Sequence, residues 1–229
     1  MNGNVFRRVE KKYLLNKKQK DAFLKDIKKY IEADEFFENT ICNIYFDNIN
    51  NDLIISSLEK PLFKAKLRLR SYGIPKMDDD VYLEIKNKNN GIVGKRRIKL
   101  KLKDFYNYYE NGIKNDSQIM KEIDYYFKYY DLKPYIYVAY DRISYKSRNE
   151  DSLRITIDSN LRSRKDNLRL ELGDKSEKYF DDETFIMEIK VLGSMPLWLT
   201  NILSKYKIYT TSFSKVGNIY TKEKEMQVC

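Results

Sequence analysis

Apolar and polar residues alternate with a period of two along much of this chain, the pattern of strands with one buried face. In 64–70, Lys64, Lys66, Arg68 and Arg70 share a face, opposite Ala65, Leu67 and Leu69. In 81–88, Tyr82, Glu84, Lys86 and Lys88 oppose Val81, Leu83 and Ile85. In 95–102, Lys95, Arg97, Lys99 and Lys101 oppose Ile98, Leu100 and Leu102. Tyr140 and Arg142 share a face in 140–144, and Arg154, Thr156 and Asp158 oppose Leu153, Ile155 and Ile157. Glu188 and Lys190 oppose Met187, Ile189 and Val191, while 5–15 sets Arg8, Glu10 and Lys12 on one face and Val9, Lys11 and Tyr13 on the other.

Further strands are predicted at 40–47, at 134–147, in the run "NLRLELG" ending at Gly173, and at about 209–215. The run 80–102 reads as a hairpin turning near Asn89–Gly91. Helical periodicity appears from Asn16, with Phe23, Ile27, Tyr30 and Ile31 on one face and Gln19 placed to complete a capping box. Helices are also predicted over "INNDLIISSLEK", near 104–111, at about 117–130 with Ile119, Ile123, Phe127 and Tyr130 buried, and at 194–206, with Ser194 as cap and Pro196 in the first turn. No βαβ rhythm appears, so the sheet is expected to be mostly antiparallel and the fold class α+β. Glycine and proline are sparse and no repeat or linker is evident, which reads as one domain over residues 1–229.

The 229 residues carry 44 Lys and Arg against 34 Asp and Glu, a net charge of +10 that favours an anionic partner. A general bias toward Lys, Asn, Ile and Tyr would also produce that total, though it accounts less well for the arrangement. The two cysteines, Cys42 and Cys229, do not suggest a disulfide framework, and no signal peptide or membrane-length apolar run is read, so a cytoplasmic protein is expected. The chain has no histidine. Histidine-based triads and the commonest metal ligand are therefore excluded, and any chemistry rests on carboxylates, Lys, Arg, Tyr and a bound metal.

A row of cations on strand after strand admits two readings. One is an open sheet with a solvated side. The other is a closed antiparallel barrel of about eight strands, helices outside, whose charged faces line a lumen holding an elongated anion. Phosphate chains suit such a lumen, because guanidinium binds phosphate in a fork and Lys supplies a point charge. The acids Glu10, Glu84, Asp158 and Glu188 among these cations form salt bridges or hold Mg²⁺ or Mn²⁺ together with phosphate oxygens.

At these residues the sequence resembles the triphosphate tunnel metalloenzyme superfamily, and within it the VTC-type polyphosphate polymerase domain. The family's Glu-x-Glu-x-Lys opening is matched by Arg8-x-Glu10-x-Lys12, with Arg in place of the first Glu, as in the polymerase branch. "YFD" at 45–47, "KLRLRSYG" at 66–73, "YLEIKNK" at 82–88 followed by "GKRR", "YDRISY" at 140–145, "LRITID" at 153–158, "MEIKVLG" at 187–193 and "SFSK" at 212–215 follow in the family's order. The resemblance implies a tunnel barrel with phosphate contacts from Arg8, Lys12, Arg68, Arg70, Lys86, Lys95, Arg142 and Lys215, with Ser214 alongside and Tyr140 near the site. Arg97, Arg154 and Lys190, on the same charged faces, are further substrate-binding candidates. Glu188 matches the family's metal-binding Glu; Glu10 and Glu84 are additional metal candidates by face. Ser212 stands where some relatives carry Lys, which bears on the tunnel exit or product length. The resemblance further implies a free-standing catalytic domain, without the sensing and membrane segments of fungal relatives, and the Lys-, Asn- and Tyr-rich composition points to a bacterial source.

Three functions remain open. The first is Mn²⁺- or Mg²⁺-dependent transfer of the ATP γ-phosphoryl group to a growing polyphosphate chain, favoured over the second by Arg8. The second is hydrolysis of tripolyphosphate, a nucleoside triphosphate or an RNA 5′-triphosphate at the same residues. The third is a non-catalytic module binding polyphosphate or nucleic acid, with tyrosines as stacking platforms. No specific nucleic acid is expected as partner under the first reading.

Overall fold

The computed structural model describes residues 8–59, 62–89, 92–112, 117–150 and 152–228. Ten strands and six helices are present among them, an α+β architecture. The strands are β1 (Arg8–Asn16), β2 (Ile31–Asp47), β3 (Phe63–Tyr72), β4 (Asp80–Asn89), β5 (Ile92–Lys101), β6 (Lys133–Ser147), β7 (Arg154–Arg164), β8 (Glu177–Lys178), β9 (Thr184–Leu192) and β10 (Thr210–Thr211). The helices are α1 (Lys17–Ile27), α2 (Asp52–Glu59), α3 (Leu102–Asn111), α4 (Gln118–Tyr129), α5 (Leu197–Lys205) and α6 (Lys215–Val228).

The hydrogen-bonded strand order is β10-β1-β9-β7-β6-β2-β3-β4-β5, with β8 pairing β7. The β1, β3, β4, β5, β8, β9 and β10 ladders are antiparallel, as the sequence predicts. The expected closed barrel is not what the ladders give: among the described residues none joins β10 to β5, so the sheet is open. β10 is two residues long, and the predicted strand over 209–215 gives way to a helix because Ser214 and Asn218 cap it reciprocally. Ser214 N–H donates to Asn218 Oδ1 at 2.8 Å, and Gly217 N–H donates to Ser214 Oγ at 3.2 Å.

The chain divides into two compact units. Unit 1 takes the described residues within Met1–Asn39, Tyr140–Leu161 and Phe180–Phe213; unit 2 takes those within Thr40–Ala139, Arg162–Tyr179 and Ser214–Cys229. In unit 1 the apolar strand residues Tyr13, Leu15, Ile155, Met187 and Ile189 are buried against Phe23 and Ile27 of α1 and Leu199 and Leu203 of α5. In unit 2, Ile44, Leu67, Leu69, Leu83 and Ile85 are buried against Leu53, Leu102, Phe105 and Ile123 from α2, α3 and α4. Within each unit, then, helices cover the apolar side of the strands, and the charged residues take the other side.

Asn16 caps α1 as predicted, accepting from Gln19 N–H at 2.9 Å while Gln19 Oε1 accepts from Asn16 N–H at 3.2 Å. The helix stops earlier than its periodicity suggests. Tyr30 stacks on Trp198 at 4.1 Å, and Ile31 already opens β2, nine residues before the predicted strand. "NLRLELG" contains a 3-10 turn over Leu170–Leu172 in place of a strand. Arg164 donates to the carbonyls of Asn167, Arg169 and Gly173, and Asn167 and Gly173 adopt positive φ, which breaks any ladder there. Pro196, not Ser194, occupies the cap position of α5. The hairpin turn expected near Asn89–Gly91 falls at 90–91, outside the described residues.

Candidate functional site

In unit 2 the register of β2, β3, β4 and β5 sets the charged residues in rows. Tyr45 lies opposite Arg68, Arg68 opposite Glu84, and Glu84 opposite Arg97. The neighbouring rows are Lys66, Lys86 and Lys95 on one side and Asn43, Arg70, Tyr82 and Lys99 on the other. Residues directly opposite in an antiparallel pair share a face and touch.

At the centre is Glu84, whose side chain is 2% exposed. Arg68 donates to its Oε2 from Nε at 2.8 Å and from Nη2 at 2.7 Å, and Lys95 Nζ lies 3.0 Å from Oε1. Burial alone would raise the Glu84 carboxyl; Arg68, Arg70 and Lys95 overcome it and hold the pKa at about 2. Lys95 in turn is pushed down by burial and by Arg68 and Arg70, against the pull of Glu84. Arg68 Nη1 donates to the Tyr45 hydroxyl at 3.2 Å, with the guanidinium 5.9 Å from the ring centroid. Burial opposes ionisation of Tyr45, yet Arg68, Arg70 and Lys66 bring its pKa down to about 8.

Arg70 is buried and donates from Nε to Asn43 Oδ1 at 2.8 Å; Asn43 is itself fixed by donation to the Val138 carbonyl at 3.0 Å. Arg97 lies 4.9 Å from the Tyr82 ring centroid. Lys66 Nζ donates to Ser214 Oγ at 2.9 Å, which brings Ser214 and Lys215, at the start of α6, beside the Lys66 row. Helix N-terminal amides and a basic row together suit an anion. Glycine at 217 permits this approach, since a Cβ there would lie 2.9 Å from Leu58 Cδ2 and 3.1 Å from Ser214 Oγ.

In unit 1 the register of β1, β9 and β7 gives two rows: Lys12, Glu188 and Thr156, and beside it Glu10, Lys190 and Arg154. Glu188 is buried, with Lys190 Nζ 3.1 Å from Oε1. Burial would raise its carboxyl; Lys190, a hydrogen bond with Glu10, Lys12 and Arg142 instead carry it well below the usual carboxylate range. Arg142 forks onto buried Asp158, Nε to Oδ1 at 2.6 Å and Nη2 to Oδ2 at 2.8 Å, and lies 5.2 Å from the Tyr140 ring centroid. Lys12 Nζ donates to the Phe213 carbonyl at 3.1 Å and borders a cavity of about 300 Å³ lined also by Glu10, Thr211 and Ser212. Arg154 is turned toward Asp34, 3.6 Å away. Backbone pairing puts Arg8 at the end of β1 opposite Leu192; its side chain lies outside the described residues.

Each unit therefore contains a guanidinium held in a fork by a buried carboxylate: Arg68 on Glu84, and Arg142 on Asp158. This device fixes the direction of a cation that must meet a planar or tetrahedral anion. The sequence pattern placed Asp158 and Thr156 on this face without a role for Thr156, and it missed Tyr45 and Asn43 as partners of Arg68 and Arg70. Period-two alternation in 40–47, continued from the neighbouring strand, was the available signal.

Among the described residues no group of three His, Cys, Asp or Glu is placed to hold a metal by itself. Two carboxylates, Glu10 and Glu188, do lie within hydrogen-bond reach of each other. Such a pair fits a hard divalent cation that takes its other ligands from phosphate or water. Glu84 fits less well, because Arg68 and Lys95 engage its two oxygens.

Comparison with known proteins bears on both faces. The VTC domain family matches residues 7–222. Over 146 residues the chain is 27% identical to vacuolar transporter chaperone complex subunit 4 of Schizosaccharomyces pombe, covering 53% of this chain and 20% of that protein. The aligned part thus spans about a fifth of that relative's length. The fold is similar to a candidate adenylate cyclase from Bacillus halodurans, with TM-score 0.56, 13% identity and coverage of 90% of this chain and 93% of that one. It is also similar to a candidate adenylyl cyclase from Hippeastrum described as having a dominant triphosphatase activity, with TM-score 0.55, 14% identity and coverage of 94% and 96%. The chain therefore belongs to the VTC domain family.

Proposed function

We propose that this chain transfers the γ-phosphoryl group of ATP to a growing inorganic polyphosphate chain, with Mn²⁺ or Mg²⁺ bound at Glu188 and Glu10. The observation that carries the reading is the family match over residues 7–222 combined with charged faces whose arginines are held ready by buried carboxylates. In unit 2, Lys66, Arg68, Arg70, Lys86 and Lys95, with Ser214 and Lys215, bind and orient phosphates and take up charge as the transferring phosphoryl group loosens. In unit 1, Lys12, Arg142 and Lys190 do the same beside the carboxylate pair. A cation bound there supplies a Lewis acid for a phosphoryl oxygen. No residue has to act as a general base, because the nucleophile is the terminal phosphate of the acceptor, which already carries negative charge.

Hydrolysis at the same residues is the second reading, supported by the triphosphatase activity described for the Hippeastrum protein of the same fold. The relative's membership of a vacuolar transporter chaperone complex supports a proposal that this chain works with partner subunits. Incubation with ATP and Mn²⁺ tests the two readings. Long polyphosphate on a gel supports transfer; orthophosphate alone supports hydrolysis; ATP left intact overturns both.

A further inference from the structure

Resting on the metal reading above, we propose that the Thr156 hydroxyl is a third protein oxygen of the Glu188–Glu10 site, directed at a divalent cation or at its bound water.

Thr156 is buried, 9% exposed, and its Oγ1 has no hydrogen-bond partner. A buried hydroxyl without a partner is costly, and where one is retained something absent from the protein itself is expected to satisfy it. Its position says what. Thr156 is directly opposite Glu188 in the β7–β9 ladder, and Glu188 is directly opposite Lys12 in the β1–β9 ladder. Side chains so paired lie on one face within contact distance. Glu10, one step along β1 on the same face, is near enough to Glu188 to act on its carboxyl.

The chemistry agrees. Two carboxylates leave most of the coordination sphere of Mn²⁺ or Mg²⁺ to other oxygens, and no third acid, Cys or His joins them among the described residues. A neutral hydroxyl is an acceptable hard donor, and it adds a ligand without adding negative charge where phosphates must approach. Packing does not require the oxygen. Valine has the same branched shape and would remove the unpartnered atom from the interior.

The test uses Mn²⁺ alone, followed by the electron paramagnetic resonance signal of the free ion, with the whole chain and no triphosphate. Thr156→Val is expected to weaken Mn²⁺ binding by about tenfold, while Thr156→Ser, which keeps the hydroxyl, stays close to wild type. Without metal, Thr156→Val should melt no lower than wild type; with Mn²⁺, wild type should gain more in Tm than Thr156→Val. If Thr156→Val folds poorly, Thr156→Ala replaces it. Wild-type binding that Glu188→Gln weakens but Thr156→Val leaves unchanged overturns this inference and spares the metal reading. A wild type that binds no Mn²⁺, or binds it equally after Glu188→Gln, overturns both.

Discussion

Tyr45 sits within the most basic part of unit 2, its hydroxyl accepting from Arg68 and its environment set by Arg68, Arg70 and Lys66. Burial alone would keep the phenol protonated; the three cations win and place its pKa near 8, about two units below the usual 10. Of the chain's 20 tyrosines, it should ionise early. A spectrophotometric titration of tyrosinate absorbance should therefore show one step near pH 8 that is missing in Tyr45→Phe. The sign follows: as pH rises through 8 the new anion offsets a cation of the face, so tripolyphosphate affinity should fall there in wild type and fall less in Tyr45→Phe. Glu188 has the opposite lesson. It is kept ionised by its neighbours, so Glu188→Ala should abolish metal-dependent turnover while the circular dichroism spectrum and melting remain those of a folded protein. A folded Glu188→Ala with full activity would remove the metal assignment.

Paired strands act together, and β3 with β4 show it. Breaking a buried ion pair by removing one partner costs about 3–5 kcal/mol, because the other charge is left without compensation. Arg68→Ala should therefore destabilise in denaturant unfolding, through Glu84, but by less than that because Lys95 still faces Glu84 Oε1 at 3.0 Å, and the Arg68→Ala/Glu84→Gln double variant should regain part of the loss. Additive losses would show that the two side chains do not form the pair described. The pH dependence has a definite sign. Glu84 has its folded pKa lowered from 4.5 to about 2, so its contribution is present above about 4.5 and is lost as pH falls toward 2. Glu84→Gln should flatten that acid limb. At the start of α6, Gly217→Ala should shift the helix away from Leu58 and Ser214, reducing triphosphate affinity with little change in secondary structure.

The elements themselves were largely legible in the sequence. Strict alternation in 64–70, 81–88 and 95–102 fixed both the strands and their charged sides, because a one-residue slip would bury lysines. Asn16 and Gln19 announced the start of α1. What escaped depended on distant partners. Arg164 turns "NLRLELG" into a 3-10 segment by binding its carbonyls, and Ser214 with Asn218 makes a helix start out of a β-like run. The fork of Arg142 on Asp158 was foreshadowed only as a possible salt bridge. The partners Tyr45 and Asn43 alternate with Cys42, Ile44 and Phe46 in sequence, but every residue from Ile41 through Asp47 is buried, so that alternation marks no solvated face.

At the scale of the molecule, each unit has the same division: apolar strand faces under helices, charged faces bearing arginines fixed by carboxylates. The family match spans both units in sequence, from residue 7 to residue 222. No helix among the described residues is long and apolar enough to cross a membrane. The account's central claim is that these charged faces handle phosphate chains by transferring phosphoryl groups from ATP. Time-resolved ³¹P NMR of ATP incubated with the protein and Mg²⁺ tests it most directly. The account expects the γ-phosphate signal to decline while the resonance of internal polyphosphate units grows, and expects neither change with Glu188→Ala. Decline of ATP into orthophosphate with no internal-chain resonance, or an ATP spectrum that never changes, would contradict it.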